Sequence, residues 1–255
     1  MFLFLPLALL TMLWRMIDSE MAEPVYTVAC DEAMLMARHA RIVPNTLHMY
    51  VRDRPTVSLG YFEHVEEAVD LEAVKRHGVQ LVRRVSGGSA IYTDPGQIIY
   101  ALALDNEVVP TTPEETFASV CAGVIKALDI LGLKGEFKPV NDVLVNKRKI
   151  SGSAQTRKWD VVLQHGTLMV DTNFEIMFDV LKMRKKGRSK DTVTSLAKEL
   201  GEVPSMDKVK RALIAGFAST FNVEIMKGVL SHYETKTIES LIEEKYGQEK
   251  FTMGR

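Results

Sequence analysis

The order of apolar and polar positions predicts a chain in which helices and short strands alternate. Residues 25–41 repeat apolar side chains at helical spacing, and Pro44 stops the pattern. A second clear helix begins at Thr112, where a proline follows the capping threonine and Glu115 stands at the third helical position. Gly132 ends this helix. These signals predict a capping box at its start.

Short apolar runs between turn residues predict ten strands. They cover residues 13–18, 47–51, 56–59, 79–84, 90–92, 97–104, 142–146, 149–156, 161–171 and 223–226. Further helical patterns begin near Phe174 and cover residues 206–219 and 235–246. No repeat, linker or low-complexity stretch divides the chain. We therefore predict a single α+β domain over residues 13–255, with residues 1–12 as an apolar extension or an overlong start.

The composition narrows the class of protein. The chain has 255 residues, of which 46% are hydrophobic and 25% are charged, and its formal net charge is -1. These values exclude a disordered or fibrous chain, and the balanced charge provides no global field for nucleic acid or an anionic membrane. We therefore expect a small molecule or a protein as partner, and neither nucleic acid nor a membrane.

The two cysteines, Cys30 and Cys121, lie far apart and form no C-x-x-C pattern. They indicate neither a disulfide framework nor a zinc site, and they favour a reducing, cytoplasmic location. The apolar stretch 2–14 is shorter than the roughly 20 residues that cross a bilayer, and no Lys or Arg precedes it. A secretory signal is therefore not the favoured interpretation.

A glycine-rich segment follows the fourth predicted strand. Residues 83–92 have the sequence Arg-Arg-Val-Ser-Gly-Gly-Ser-Ala-Ile-Tyr. Paired glycines between strands let the backbone approach a ligand closely, and their N–H groups can form an anion-binding nest. Because Arg83 and Arg84 are adjacent on a strand, we expect one to face a ligand and the other solvent or a carboxylate. Taken alone, the segment is more typical of an ordinary hairpin turn.

A second segment, residues 141–155, places Lys149 before a run of small residues. Such a setting crowds the backbone near a bound group and leaves a long cation beside it. The competing interpretation is a turn with three basic surface residues. Spacing alone favours that interpretation.

Together the two segments resemble the lipoate–protein ligase A family. They match R-R-x-S-G-G-[GS]-A-[VI]-[FY]-x-D and N-D-x-x-V-x-x-[RK]-K-[IV]-S-G-S-A. Further matches follow in the family's order at residues 14–18, 30–33, 55–60, 165–168, 193–196 and 245–246. The resemblance covers the chain from residue 14 onward. It implies the fold shared by biotin and lipoate ligases, a mixed β-sheet with flanking helices.

The resemblance also implies a reaction and a site. The chain is expected to activate lipoate with ATP to lipoyl-AMP and to transfer the lipoyl group to a carrier lysine. The implied cofactors are ATP and Mg²⁺, with Asp142 either a Mg²⁺ ligand or a turn residue. Lys149 is implied as the catalytic cation between carboxylate and α-phosphate. The implied ligand contacts are Gly87, Gly88 and Lys149 for lipoate, and Arg84, Ser89, Ala90, Ile91, Tyr92 and Lys149 for ATP and the adenylate.

Two positions depart from the family pattern, and the chain ends early. Ser89 stands where a third glycine is common, and Thr93 stands where histidine is frequent. The chain stops soon after Tyr246, where single-chain bacterial ligases continue into an accessory domain. A separate small accessory protein is therefore expected, as in the archaeal form. The expected carriers are lipoyl domains of the 2-oxoacid dehydrogenase E2 or glycine cleavage H protein type.

Three rival interpretations stay open. An octanoyl or lipoyl transferase on the same fold uses no ATP but needs a cysteine thiolate, and Cys30 and Cys121 are better interpreted as core residues. A biotin ligase is disfavoured because its G-R-G-R-x-x-R segment is absent. A non-catalytic lipoyl-binding protein would keep the pocket without turnover. The basic segment 182–190 is interpreted as a solvated loop or as a flap that closes over the adenylate.

Overall fold

The structure is a computed structural model, and it describes residues 12–182 and 190–254. Residues 1–11, 183–189 and 255 lie outside the described part of the chain. They hold most of the predicted N-terminal extension and most of the predicted flap.

The described residues form eleven strands and nine helices. The strands are β1 (Met12–Ala22), β2 (Thr46–Arg52), β3 (Thr56–Leu59), β4 (Gln80–Arg83), β5 (Ile91–Thr93), β6 (Gln97–Asp105), β7 (Gly135–Lys138), β8 (Asp142–Val145), β9 (Arg148–Lys158), β10 (Val161–Met169) and β11 (Val223–Lys227). The helices are α1 (Pro24–His39), α2 (Val65–Ala68), α3 (Leu71–Arg76), α4 (Pro113–Ile130), α5 (Phe174–Val180), α6 (Leu196–Leu200), α7 (Met206–Phe221), α8 (His232–Leu241) and α9 (Glu249–Met253). Within this part of the chain, no helix combines the length and the apolar character needed to cross a membrane.

Eight of the strands form one large mixed sheet, in the order β11-β1-β2-β6-β10-β9-β8-β7. β1 pairs in parallel with both β2 and β11, and the other neighbours pair antiparallel. The strands between residues 56 and 93 form a small sheet of their own, β4-β3-β5. The expected α+β fold with a mixed sheet and flanking helices is confirmed.

Helices cover both faces of the large sheet. On one face, Tyr100 of β6 packs with Phe217 of α7 in a core that α4 also lines. On the other face, Ala101 of β6 belongs to a second core with Ala33 of α1 and Ile238 of α8. Because side chains alternate along a strand, neighbouring residues of β6 serve these two different cores.

The C-terminal segment is fastened to α1. Glu32 accepts a hydrogen bond from Lys245 (Nζ to Oε2, 2.6 Å) and another from the Tyr246 hydroxyl. Burial raises the pKa of Tyr246 well above its ordinary value, so the hydroxyl stays a donor. Lys245 and Tyr246, which match the family pattern, therefore hold the end of the chain against the helix that carries Asp31.

Two local features differ from the sequence predictions. The sequence predicts no strand at β7, whose residues alternate between partly buried and exposed at the edge of the sheet. The capping box at Thr112 is half formed, because the Glu115 carboxylate accepts from the Thr112 hydroxyl and not from its N–H. A complete capping box forms at Ser231 and Glu234, where none is predicted.

Candidate active site

Four residues form a row across the sheet face that α1 covers. Strand pairing places His48 of β2, Ala101 of β6, His165 of β10 and Ala154 of β9 side by side. The two histidines are therefore separated by two strand spacings, about 10 Å. Because an alanine stands between them, a side chain from the covering helix fits into the gap. Asp31 of α1 fills it, with Oδ1 2.9 Å from His48 Nδ1 and Oδ2 3.2 Å from His165 Nδ1.

Asp31 and His48 are buried, and each alters the titration of the other. Burial opposes ionisation of the carboxyl, but hydrogen bonds from His165 and His48 outweigh it and lower the pKa of Asp31 to about 2. Burial also opposes a charge on the imidazole, yet Cys30 and Asp31 raise the pKa of His48 to about 10. Near neutral pH the two groups therefore form a buried ion pair.

The row continues into a serine at each end. His48 Nε2 lies 2.9 Å from Ser19 Oγ of β1, and His165 Nε2 lies 2.6 Å from Ser86 Oγ. The five side chains Ser19, His48, Asp31, His165 and Ser86 thus form one hydrogen-bonded series, here called the polar chain. The sequence predicts no role for any of them. Asp31, Ser86 and His165 lie in segments that support the resemblance, whereas no motif marks His48.

Ser86 begins the glycine-rich turn, residues 86–89. Arg84 is buried beside the turn, and its guanidinium donates to three of the turn's oxygens, Gly87 O (2.7 Å), Ser89 O (3.0 Å) and Ser86 Oγ (3.1 Å). Burial lowers the pKa of Arg84 to about 10, so the group is still charged near neutral pH. Gly88 has a φ of 89°, a conformation that favours glycine. Arg84 therefore sets the shape of the turn.

Arg83 is buried as well, so neither of the adjacent arginines lies against solvent as the sequence predicts for one of them. Its guanidinium donates to three backbone carbonyls, those of Gly60, Glu63 and Thr252, each at 2.8 Å. These bonds join the loop after β3 to α9. The alternation of side chains along the strand does direct Arg83 and Arg84 to opposite faces, but on each face the guanidinium donates to backbone carbonyl oxygens.

The predicted catalytic cation, Lys149, lies at the start of β9 and pairs with Asp142 of β8, with 2.5 Å between Nζ and Oδ1. The side chains are 31% and 21% exposed, so the ammonium is open to a ligand. Gly152 leaves the space for this pair, because a Cβ there would overlap the Lys149 ammonium. From the sequence, the small residues after Lys149 are explained by the close approach of a ligand. The structure gives Gly152 a further role, because its missing side chain makes room for the lysine itself.

The turn and the cation border the same patch of sheet surface. Gly152 and Ala154 point to the face that His165 occupies, since they alternate along β9 and pair across to β10. A Cβ at Gly88 would lie 3.7 Å from the Ala154 Cβ, so the turn rests on β9 beside the lysine. The glycine-rich turn and the Lys149 ammonium thus lie against the same strand, and a fixed positive group of this kind can stabilise an anionic oxygen.

The remaining predicted contacts are distributed around the turn. Ser89 is exposed, and Ala90 and Ile91 are partly buried where the chain enters β5. Tyr92 lies in the core of the small sheet, and burial raises the pKa of its hydroxyl well above the ordinary value. The structure therefore places Gly88 against Ala154 of β9, the strand that also carries Lys149, and places the Tyr92 side chain in the interior. Contact of these residues with a nucleotide stays a prediction.

The donor set beside Lys149 does not fit a magnesium site. Asp142 is already paired with the ammonium. In residues 12–182 and 190–254, no group of three or more His, Cys, Asp or Glu side chains is arranged to hold a metal ion. The turn alternative for Asp142 is not adopted either, because the residue is the first of β8.

Both cysteines are core residues, as the sequence predicts. Cys30 lies in the core under α1, and Cys121 lies on the inner face of α4. Burial raises the pKa of Cys121 to about 12, although Ser153 and the Lys149 charge act in the opposite direction. The chain has two cysteines in all. Both thiols are therefore shielded from solvent by the core around them.

Comparison with known proteins places these features in a family. The family model described as the lipoyl protein ligase A/B catalytic domain matches residues 23–218. The octanoyltransferase LipM of Oceanobacillus iheyensis is 30% identical over 260 residues, which cover 92% of this chain and 95% of that protein. A bi-partite lipoate protein ligase from Thermoplasma acidophilum, described with its E2 lipoyl domain, is 27% identical with a TM-score of 0.84, and the match covers 95% and 97% of the two chains.

A second solved structure shows a ligand. It is a putative lipoate protein ligase of T. acidophilum with bound lipoic acid, 26% identical with a TM-score of 0.82 and with 95% and 100% of the two chains covered. Similarity to lipoate ligases thus extends over nearly the whole fold. The expected resemblance to the lipoate ligase catalytic domain is confirmed.

The comparisons also correct the predicted activity. Curated relatives that match nearly the whole chain are named octanoyltransferases, which overturns the prediction of an ATP-dependent lipoate–protein ligase. The coarser prediction of an enzyme of the lipoyl and octanoyl transfer family is confirmed. The prediction was wrong because the two motifs lie within a domain model that covers both the A and B types of lipoyl protein ligase, so they indicate the family and not the reaction. The predicted accessory protein was inferred from the resemblance to ligases, and it stays a prediction.

Proposed function

Because the chain belongs to the lipoyl protein ligase A/B catalytic-domain family, we propose that it is an octanoyltransferase. It moves an octanoyl group from a carrier-bound thioester to a lysine of a lipoyl carrier domain and uses neither ATP nor Mg²⁺. The observation that carries this proposal is the similarity to an octanoyltransferase along 92% of the chain. Lipoyl domains of the E2 or H protein type are the proposed acceptors, since the similar bi-partite ligase is described with an E2 lipoyl domain.

The Lys149 ammonium has the position and charge that this transfer needs. Attack of an amine on a thioester carbonyl places negative charge on the carbonyl oxygen, and fixed positive groups stabilise that charge. Asp142 holds the ammonium in place beside the turn at Gly88. The ammonium and the backbone N–H groups of the turn would therefore receive the oxygen as the charge develops.

We further propose that the acyl group passes directly from the donor sulfur to the acceptor nitrogen. An enzyme-bound thioester requires a thiolate that the substrate can reach. Cys30 and Cys121 are both buried, and the raised pKa of Cys121 keeps its thiol protonated near neutral pH. One C–N bond forms and one C–S bond breaks, without a redox change or a nucleotide.

The proposal is tested by supplying the two possible donors separately. An octanoylated acyl carrier protein and a lipoyl domain should give octanoyl-lysine on the domain, measured by intact-protein mass spectrometry, without ATP. Free octanoate or lipoate with ATP and Mg²⁺ should give no product. Modification that occurs only with ATP, and pyrophosphate release with it, would contradict the proposal.

The direct route has its own test. The double variant Cys30→Ala, Cys121→Ser should keep most of the transfer activity, and alkylation of the wild type with iodoacetamide under native conditions should leave the rate unchanged. Loss of transfer in a folded Cys121→Ser variant, together with an octanoylated enzyme in the wild type, would show that a thioester on Cys121 forms.

A further inference from the structure

We infer that Ser86, His165 and Asp31 form the acid–base relay of acyl transfer, with Ser86 as the group that exchanges the proton with the substrates. The inference deepens the proposed function and rests on it. Lys149 supplies positive charge to the reacting oxygen but, as an ammonium, accepts no proton. Amide formation from an amine and a thioester nevertheless requires a proton to leave nitrogen and a proton to reach sulfur.

The hydrogen-bond partners determine where the protons lie. Arg84 can only donate, and its Nε lies 3.1 Å from Ser86 Oγ, so the serine oxygen accepts that bond. The serine's own hydrogen is then directed to His165 Nε2 at 2.6 Å. In the described part of the chain, this hydroxyl has no other acceptor. His165 therefore carries its hydrogen on Nδ1 and donates it to Asp31 Oδ2. A hydroxyl, an imidazole whose Nε2 accepts, and a carboxylate stand in the order that proton transfer requires.

The relay ends at the acyl site and not elsewhere in the core. Ser86 is the first residue of the turn whose Gly88 rests on Ala154, next to the Lys149 and Gly152 region of β9. Within the relay, the His165 side chain is 11% exposed, the Asp31 side chain is 2% exposed and Ser86 is fully buried. The relay is therefore closed to solvent at Asp31 and most open at His165, next to the turn that Ser86 begins.

His48 explains why Asp31 can remain ionised and accept the hydrogen bond from His165. A lone buried carboxylate would be costly to ionise, but the His48 imidazolium pairs with it, and Ser19 accepts the other His48 hydrogen. The titratable and charged groups that surround the relay are Asp31 and Cys30 of α1, His48 and Tyr50 of β2, and Arg84 after β4. The positive charge of His48 offsets that of the carboxylate and lets the carboxylate orient His165 without holding a proton itself.

The proposed step balances. As the acceptor nitrogen bonds to the carbonyl carbon, its proton passes to Ser86 Oγ, and the serine's own proton passes to His165 Nε2. When the C–S bond breaks, His165 returns the proton through Ser86 to the leaving thiolate. The products are an amide and a thiol, and the enzyme regains its starting protonation state.

The test measures octanoyl transfer from octanoylated acyl carrier protein to a lipoyl domain across a range of pH. His165→Gln keeps a side chain that can donate to Asp31 but removes the base, so we expect kcat to fall by about 100-fold or more with KM little changed. The acid limb of the wild-type profile should be steeper than that of the variant, because the wild type requires the deprotonated form of one further group. Ser86→Ala should reduce kcat as well.

A matched control is available on the same helix. His39 of α1 also pairs with an aspartate, Asp160, but at the exposed end of the helix, and His39→Gln should leave the rate and the pH profile unchanged. Thermal unfolding of each variant shows whether it folds. If His165→Gln does not fold, the Ser86→Ala variant decides, since it removes a single buried hydroxyl.

The outcomes separate the relay from the proposed function. Absence of transfer by the wild-type protein would refute the proposed function itself. Wild-type transfer together with full rates and an unchanged profile in folded His165→Gln and Ser86→Ala would refute the relay alone. Accumulation of an octanoyl ester on Ser86, found by mass spectrometry of tryptic peptides, would also refute it, because the serine would then be a nucleophile.

Discussion

The sheet face under α1 holds two polar regions that differ in almost every physical respect. The exposed end consists of Lys149 and Asp142, at the free side of the face on β8 and β9. The buried end consists of Asp31, His48 and His165, beneath α1. Both bring opposite charges together. The exposed pair lies where ligand and solvent reach it, whereas the buried group is held by hydrogen bonds on all sides.

This difference explains how the charges are tolerated and what they can do. An ammonium at the exposed end keeps part of its hydration and can exchange it for a substrate oxygen. Charges at the buried end persist only because each has a partner of opposite sign and a further hydrogen bond. The exposed end is therefore suited to binding developing charge, and the buried end to holding groups in a fixed order.

The largest effect is expected from removing the exposed cation, because this change tests whether the exposed end stabilises the developing charge. Lys149→Ala should lower the rate of octanoyl transfer by about 100- to 1,000-fold, the loss typical of one group that stabilises an oxyanion. Its folding should be little affected, since the pair is partly open to solvent. Steady-state transfer assays with Lys147→Ala as the control check this, because Lys147 is exposed in the adjacent turn. Equal losses in the two variants would contradict the assignment.

A second change affects the turn that joins the two ends. Arg84→Lys keeps a charge but loses the planar fork that serves several oxygens at once, so we expect the free energy of unfolding to fall by about 2 kcal/mol. Denaturant unfolding measures the loss. Arg54→Lys, at an exposed arginine paired with Asp53, should be close to neutral. A stable Arg84→Lys protein would show that the turn keeps its shape without the fork.

A smaller effect is expected from crowding the exposed cation without removing it. Gly152→Ala places a methyl group where the Lys149 ammonium lies, and the flexible end of the lysine must move away from Asp142. We expect roughly a tenfold loss in kcat, about 1.4 kcal/mol, because a displaced charge stabilises the oxyanion less well. Gly201→Ala is not a suitable control, since Gly201 has a positive φ. Lys158→Ala, at the exposed end of the same strand, is suitable, and it should keep normal turnover.

The smallest expected effect is a pH dependence that only the buried end produces. The raised pKa of His48 means that its charge stabilises the fold fully below about pH 6.5, where the unfolded chain is also protonated. This contribution is lost as the pH rises toward about 10, by at most about 1.4 kcal/mol for each pH unit. Unfolding measured between pH 7 and 9 should show the slope in the wild type and a flatter one in His48→Gln. Identical slopes in the two proteins would show that the charge of His48 does not contribute to the free energy of unfolding.

Much of the fold and part of the site were predictable from the sequence. The helical period of α1 and the cap and proline of α4 are local signals, and β-branched runs between turn residues indicated ten of the eleven strands. β7 was not predicted because a four-residue edge strand with one partly buried side has too short a pattern. The glycine-rich turn and Lys149 were recognised only through the family resemblance of the two segments together, because each segment taken alone is more typical of an ordinary turn.

The sequence by itself therefore determined the elements, the fold class, the turn and the exposed cation, since each depends on interactions within a short segment. Only the tertiary structure decided that Asp31 contacts both His48 and His165. The three residues belong to α1, β2 and β10, and they meet because the small side chain of Ala101 leaves a gap between the two histidines on the sheet. The same holds for Arg83 and Arg84, whose carbonyl partners are supplied by β3, the turn and α9. Burial and pairing between distant segments set the charges of the buried aspartate, histidine and arginine side chains. A local sequence pattern shows neither the burial nor the pairing.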